Sequence, residues 1–577
     1  MKFKTTLSLA AAAVMTVSLA GCGSSINNGD DPSSIVIEDS SSQALTTTTT
    51  AATTTTAVIT EPVPEIVENK IVGSNIAYVK FSKTVEAESC KLSGTAKQDS
   101  QREGYRGEGY VTGITAQGQW QAEFNLTHTQ YYNIGFAAAS DEKKKNAMTV
   151  DGKRLSEFTS TGNGHFELIT VKNVYLEKGK HTLTIEVPDP KLDIDYCFVT
   201  ASEDISKISF SLDKPALSDK SAGENAKALY NYLCASYGKT VLLAQHDSVA
   251  ASAETDLIYK NTGKYPAIRF GDLVYSTDAD NADAARKELE IAEKYASNDG
   301  IVAYMWHWSA PMGNKTCYSS DTDFDLSKAV TKENIATLPI SEIEKLEKKG
   351  KVSKECVAIV KDIDTVSTQL SELCGKGVPV IWRPLHEASN GYFWWGKDAA
   401  SYKWLWKLLY TRQTQYHKLH DLIWVWSAQN AGWYVGDSMC DIISCDLYGA
   451  ENPDNTVNSL LFLQGISRKK PAAVTECDTM PSVKGVANEK AYWSFIGQWG
   501  GNYIMKNDGT FSSDFNSLEN LRLNYNNNIT VTRDKLPSLE KMKTDYKAVL
   551  EKQKQEQEKQ KAKETAAITQ SAPAENE

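Results

Sequence analysis

The sequence predicts a multidomain protein, an all-β jelly-roll sandwich followed by an α/β (β/α)8 barrel, and three observations lead there. From about residue 75 to 203, short alternating runs are punctuated by Gly, Asn and Asp. From about 220 to 548, short apolar runs alternate with helical stretches. Several of those later runs end in carboxylate, imidazole and indole side chains. A chain of 577 residues also exceeds what one hydrophobic core usually holds.

The first region carries runs such as Val85–Glu88, Gly109–Thr112, Gln119–Leu126, Tyr131–Ala137, Phe166–Val171 and His181–Val187. Turn signals at roughly ten-residue spacing, with helical periodicity nearly absent, argue for a β-sandwich over 75–203. In the second region we read strands at Val241–Gln245, Ala267–Phe270, Ile301–Trp306, Val378–Trp382, Leu422–Trp426, Ile442–Leu447, Ala473–Thr475 and Trp493–Trp499. Helical stretches lie between them, among them 282–296, 357–375 and 399–419. Eight strands with helical crossovers are what a (β/α)8 barrel requires. A brief connection, 203–219, is expected to be either a linker or a dock between the two regions.

The ends differ from both. Met1-Lys-Phe-Lys is basic, Leu7 to Ala20 is apolar but too short for an ordinary membrane span, and Leu19-Ala-Gly-Cys22 resembles a bacterial lipobox. Residues 1–21 are therefore expected to be a lipoprotein-type signal, with Cys22 as the lipidation site tethering the protein to the membrane at the outer cell surface. The competing reading is an ordinary secretory signal with an incidental Cys. Residues 22–70, rich in Ser, Asp and then Thr, cannot bury enough apolar area to offset chain entropy and read as a stalk. The charged, Gln-rich segment 549–577 reads as a solvated helix or a disordered tail.

A net charge of −11 with pI near 5.5, and no basic stripe, exclude nucleic acid as an expected partner. Ten cysteines without a Cys-x-x-Cys pair are too sparse for a disulfide scaffold or thiolate metal site. Cys90 and Cys197 are either a pair or buried free thiols.

Chemistry in a parallel barrel sits at the carboxyl ends of the strands. Val378-Pro-Val-Ile-Trp-Arg-Pro-Leu-His-Glu387 is a strand that delivers Arg383, His386 and Glu387 to an aromatic loop containing Tyr392 and Trp395. On this segment alone, the alternative is a structural Glu–Arg pair at a strand end, with the aromatics as loop packing. Its partner is Ala472-Ala-Val-Thr-Glu476, a second strand ending in a carboxylate. Two strand-end glutamates suggest glycoside hydrolysis, one as acid/base and the other as nucleophile or base for water. Other strand ends supply Gln245-His-Asp247, His307 and Trp308, Asp446 and Tyr448, and Trp499. Aromatic faces suit the C–H faces of sugars, and convergent polar groups suit their hydroxyls.

Arg383-Pro-Leu-His-Glu387 with Gly391-Tyr-Phe-Trp-Trp-Gly396 resembles the acid/base segment of glycoside hydrolase family 26, whose best-known members are endo-β-1,4-mannanases. Val474-Thr-Glu-Cys-Asp478 is similar to its nucleophile segment, and the likeness covers roughly 225–540. The resemblance implies that Glu387 is the acid/base and Glu476 the nucleophile. It implies hydrogen bonding in the site by His386, contact of Tyr448 with the nucleophile, and a platform at Trp499 beneath the cleaved sugar. Arg383 and Asp446 would orient the carboxylates, while His307 and Trp308 would contact the non-reducing side. Tyr392 stands where the family often has Trp, on the leaving-group side, and Trp395 lies in the same aromatic segment.

The first region resembles carbohydrate-binding modules of family 35 and its neighbour family 6, through Val85-Glu-Ala-Glu-Ser89, Gly107-Glu-Gly-Tyr-Val111 and Leu192-Asp-Ile-Asp-Tyr196. That likeness implies a structural calcium at Glu86, Glu88 and Asp195, although surface carboxylates are commoner than ligands. His165 and Phe166 occupy the loop where those modules usually carry a Trp. The combined expectation is a surface-anchored, retaining endo-β-1,4-mannanase needing no cofactor for catalysis, monomeric, and acting on β-mannan or a related plant polysaccharide. Alternatives are a β-1,3-1,4-glucanase or xylanase of the same family, or a non-catalytic polysaccharide-binding lipoprotein.

Overall fold

The computed structural model describes residues 76 and 78–571, apart from 116–118, 187–190 and 451–452. The expected signal, Cys22 and the whole stalk, 22–70, lie outside the described residues.

The first region is a sandwich of two antiparallel sheets. One orders Lys97–Asp99, Tyr110–Ile114, Leu192–Ala201, Gln130–Ala139 and Glu167–Leu176, with Ser82–Glu86 also paired to Leu192–Ala201. The other orders Lys91–Ser93, Gln119–Leu126, Gly179–Glu186, Lys145–Val150 and Lys153–Thr159. Alternation along Gln119–Leu126 turns Trp120, Ala122, Phe124 and Leu126 inward, where they meet Tyr132, Phe136, Met148 and Cys197. The first strand stops at Glu86, and a 3-10 turn, Ala87–Ser89, carries Glu88. Cys90 and Cys197 are both free thiols, their sulfurs hydrogen-bonded to the carbonyl oxygens of Glu86 and Val85.

Eight parallel strands close the second region into a barrel: β1 (Val241–His246), β2 (Ile268–Asp272), β3 (Ile301–Met305), β4 (Val380–Arg383), β5 (Leu422–Trp426), β6 (Ile442–Leu447), β7 (Ala472–Cys477) and β8 (Phe495–Gln498). Closure comes from β1 pairing with both β8 and β2. These strands are buried on both faces, which explains their near-continuous apolar sequences. All eight expected strands are present with shifted ends. Trp382 and Arg383 belong to a strand that starts only at Val380, because Val378 N–H still donates to Leu373 at the end of the preceding helix. The last strand is shortened by the turn at Ala491–Trp493. A two-residue strand, Thr530–Val531, adds to β1 outside the barrel.

The connection 203–219 is a dock. Ile205 packs with Tyr131 of the sandwich and Val457 of the barrel, flanked by Tyr78, Tyr175, Ile208 and Leu461. Asn173 Nδ2 donates to Asn458 Oδ1 at 2.9 Å, and Asn458 Nδ2 donates to the Lys172 carbonyl at 2.7 Å. The C-terminal segment forms a helix, Leu539–Ser571, whose first turns pack Leu539, Met542 and Tyr546 on the barrel.

Candidate active site

Arg383, the last residue of β4, is fully buried and holds the site together. Its Nε donates to Ser427 Oγ at 2.9 Å, one Nη to Glu476 Oε1 and the other to Asp446 Oδ2. Asp446 and Glu476 are register partners on β6 and β7, with a shift between Cys445 and Asp446 that turns both carboxylates toward the guanidinium. Asp446 also accepts from Thr475 Oγ1 at 2.7 Å and Gln429 Nε2 at 2.7 Å. Tyr448 hydroxyl donates to Glu476 Oε2 at 2.7 Å, so each oxygen of Glu476 has a donor.

Glu387 follows on a tight, left-handed turn: Leu385 and Glu387 have φ of 53° and 49°. Non-glycine residues rarely adopt that region, and such strain persists only where surrounding contacts impose it. Here Glu387 N–H donates to the Ser427 carbonyl at 2.9 Å, tying the turn to the same serine that holds Arg383.

The two glutamates are polarised in opposite directions. Burial, and then the negative charges of Asp446 and Glu476, push the Glu387 carboxyl well above its ordinary range. Burial also acts on Glu476, but Arg383, His246 and the Tyr448 hydrogen bond outweigh it and hold that carboxyl below its ordinary value. Burial raises Asp446 to about 7 against the pull of Arg383. One protonated and one ionised carboxyl group are the two states that acid-assisted displacement at an acetal needs.

Histidines from the ends of β1, β3 and β4 complete the site. His307 Nδ1 lies 2.6 Å from Asp272 Oδ2, and its Nε2 lies 3.2 Å from His386 Nε2. Burial opposes a charge on His307, but Asp272 raises its pKa overall. Burial, Arg383 and His307 keep His386 neutral. The His386 Nδ1 is buried and has no partner among the described residues. That ring nitrogen is left over for a hydroxyl, which can either donate or accept. His246 stacks on Phe270 at 4.4 Å and meets Trp499 at 4.7 Å, propping that half-buried indole.

The structure thus brings Arg383, His386, Glu387, Asp446, Tyr448, Glu476, Trp499 and His307 together. Tyr392 stands 53% exposed on the β4 loop, beside them. Trp308 and Trp395 are placed differently from the expectation of substrate contact. Both are fully buried: Trp308 stacks on Trp306 at 4.1 Å and donates to Asp362, and Trp395 donates to the His386 carbonyl at 2.8 Å. Their polar atoms are already satisfied, so they pack behind the site. Asp272 and Gln429 are additional members; Arg269-Phe-Gly-Asp272 ends β2 as the other polar strand ends do, which was the available signal.

The model of glycosyl hydrolase family 26 matches residues 218–535, and that of carbohydrate-binding module family 35 matches 83–201. The chain belongs to glycosyl hydrolase family 26. It is a glycoside hydrolase in which a family 35 module precedes the catalytic barrel. It is similar to a mannan endo-1,4-beta-mannosidase of Thermothelomyces thermophilus, 32% identical over 469 residues, covering 78% of this chain and 90% of that protein. A Piromyces sp mannan endo-1,4-beta-mannosidase B is 28% identical, with 81% and 80% covered. The crystal structure of a Podospora anserina β-(1,4)-mannanase with the same two-domain organisation matches with a TM-score of 0.51 at 30% identity, covering 79% of this chain and 99% of that one.

Proposed function

We propose that the protein is a retaining endo-β-1,4-mannanase acting on mannan, glucomannan or galactomannan. The observation that carries this reading is the opposite polarisation of Glu387 and Glu476 around Arg383; the relatives named above supply the substrate class. A Glu476 oxygen attacks the anomeric carbon while the Glu387 proton passes to the departing glycosidic oxygen, leaving a glycosyl ester. Glu387, now ionised, takes a proton from water, whose oxygen attacks the same carbon and releases Glu476. Catalysis on this route uses only side chains, all from one chain, consistent with a monomer.

The module would concentrate the enzyme on insoluble substrate, and Cys22, the lipobox cysteine, would tether it outside the cell. In the module, Glu86 Oε2 and Glu88 Oε2 are buried without partners among the described residues. Asp195 takes the Arg106 N–H on both oxygens, at 2.9 and 3.0 Å, and burial and the charges of Glu86 and Glu88 push it up. Gly107 leaves room there, since a Cβ would stand 3.4–3.5 Å from both glutamates. Among the described residues no three acidic, His or Cys side chains form a ready cage. The hard oxygens fit calcium if carbonyls or water complete its shell, and calcium would supply charge neutralisation, not chemistry.

The test is sugar release from galactomannan, barley β-glucan and xylan in parallel, with the anomer of the first product read by NMR. Preferential mannan cleavage giving a β-product supports the reading. Preference for glucan or xylan, or inversion, rejects it.

A further inference from the structure

A second buried arginine, Arg269 of β2, gathers carboxylates that take no part in the chemistry. Its Nε donates to Asp247 Oδ2 at 2.7 Å and one Nη to Glu288 Oε1 at 2.7 Å, and all three side chains are buried. Asp247 also accepts from Thr255 N–H at 2.9 Å and Thr255 Oγ1 at 3.0 Å, while Glu288 accepts from Ala250 N–H at 2.8 Å. The β1 loop, 247–252, is thereby closed onto the helix Ala253–Thr262 that follows it. The residue this fixes in space is Glu254, next to Thr255.

Glu254 is fully buried, and three neutral donors converge on its carboxyl group. Oε2 accepts from Ser248 N–H at 2.9 Å; Oε1 accepts from Ser248 Oγ at 2.6 Å and from Gly501 N–H at 3.0 Å. The last of these bonds crosses from the β1 loop to the β8 loop, two residues past Trp499. A carboxyl group is costly to bury unless hydrogen bonds offset the loss of water, and these three do so only while the two loops stay together.

Trp499 is held on each side of that crossing. Its N–H donates to the Cys477 carbonyl at 2.9 Å, and its carbonyl accepts from Gln245 Nε2 at 3.3 Å. The indole meets His246 at 4.7 Å, and His246 Nε2 donates to the Thr475 carbonyl at 2.9 Å. Gly500 permits the close approach of the loops, since a Cβ there would stand 2.8 Å from the His246 carbonyl and 3.2 Å from Glu254 Oε1.

Resting on the reading of Trp499 as the platform beneath the cleaved sugar, we propose that Glu254 is a positioning residue for that platform: it ties the β8 loop to the β1 loop and so fixes the plane of the Trp499 indole. Glu254 itself touches no substrate. The reacting ring is distorted in the transition state, so a platform fixed in plane acts more on that state than on the bound substrate, and its displacement lowers kcat more than it raises KM.

The test compares Glu254→Ala, Glu254→Gln and Gly500→Ala with the parent on the oligosaccharide that the three-substrate comparison selects. Glu254→Ala is expected to lower kcat by about a hundredfold, the size of a misplacement of about 1 Å, with KM within about threefold. Glu254→Gln keeps one acceptor oxygen but turns an amide N–H toward one of the three donors, so its kcat should fall by about fivefold, the size of one hydrogen bond. Gly500→Ala wedges the loops apart with Glu254 intact and should lower kcat by about tenfold. In protein carrying fluorotryptophan, the fluorine resonance of Trp499, assigned by its loss in Trp499→Ala, should shift in all three variants while those of the buried indoles stay in place. A general loss of stability would not single out that ring. An unmoved Trp499 resonance, or parental kcat in folded Glu254→Gln and Gly500→Ala, overturns the proposal. Should Trp499→Ala itself keep the parental kcat, the platform reading fails, and the fluorine resonances alone then decide whether Glu254 holds the ring.

Discussion

Each domain crowds three carboxylates, and the two crowds are resolved in opposite ways. In the barrel, Glu387, Asp446 and Glu476 surround a guanidinium with no exposed side-chain area. In the module, among the described residues, the ion pair at Glu86, Glu88 and Asp195 is that of Arg106, whose side chain is 58% exposed, with Glu86. A buried permanent cation divides its neighbours into ionised and protonated groups, because it can lie closer to one than to another. A cation in solvent is screened and leaves buried oxygens without partners. The lesson is that acidic clusters alike in sequence differ in function according to where their positive charge comes from.

The largest expected effect breaks the barrel cluster at its nucleophile. Glu476→Ala should lower kcat on mannan by about ten-thousandfold or more, since the covalent step is removed, while binding of manno-oligosaccharide by calorimetry is retained. Activity near that of the parent would assign the nucleophile elsewhere.

Next comes the cation itself. Arg383→Met leaves Glu476 and Asp446 buried without their partner, at a cost of about 3–5 kcal/mol, to be read by denaturant unfolding. The variant's kcat should fall by about a thousandfold as Glu476 loses the charge that keeps it ionised. A folded variant with parental stability would show that Arg383 does not hold the cluster.

The smallest effect belongs to the module. Calcium should raise its thermal midpoint by several degrees, through binding to the folded state only, and Glu86→Gln with Glu88→Gln should abolish the rise. Identical midpoints with calcium and with chelator would mean that Arg106 suffices there.

These clusters also show how far the sequence could be read. All eight barrel strands were legible because their apolar runs are buried on both faces, and Glu387 and Glu476 were legible because each terminates such a run. Indoles are harder: Trp308 and Trp395 look like Trp499 in sequence, but only packing decides which ring faces the cleft, and these two lie behind it. Asp272 acts through His307, a contact between different strand ends that spacing does not encode. The connection 203–219 left linker and dock open, since the few apolar groups that decide it, Ile205, Tyr131 and Val457, are far apart in the chain.

The account stands on Arg383 and burial dividing the two glutamates into an anion and an acid. Carboxyl-labelled glutamate NMR, titrating the parent and Glu476→Gln, measures this directly. In the parent, Glu387 should titrate above the ordinary carboxyl value of about 4.3 and Glu476 below it. Activity should accordingly fall on the acid side as Glu476 gains a proton and on the alkaline side as Glu387 loses one. In Glu476→Gln the repelling charge is gone, so the Glu387 titration should move down. Two carboxyls titrating together near the ordinary value, or a Glu387 titration unmoved by the substitution, would contradict the account.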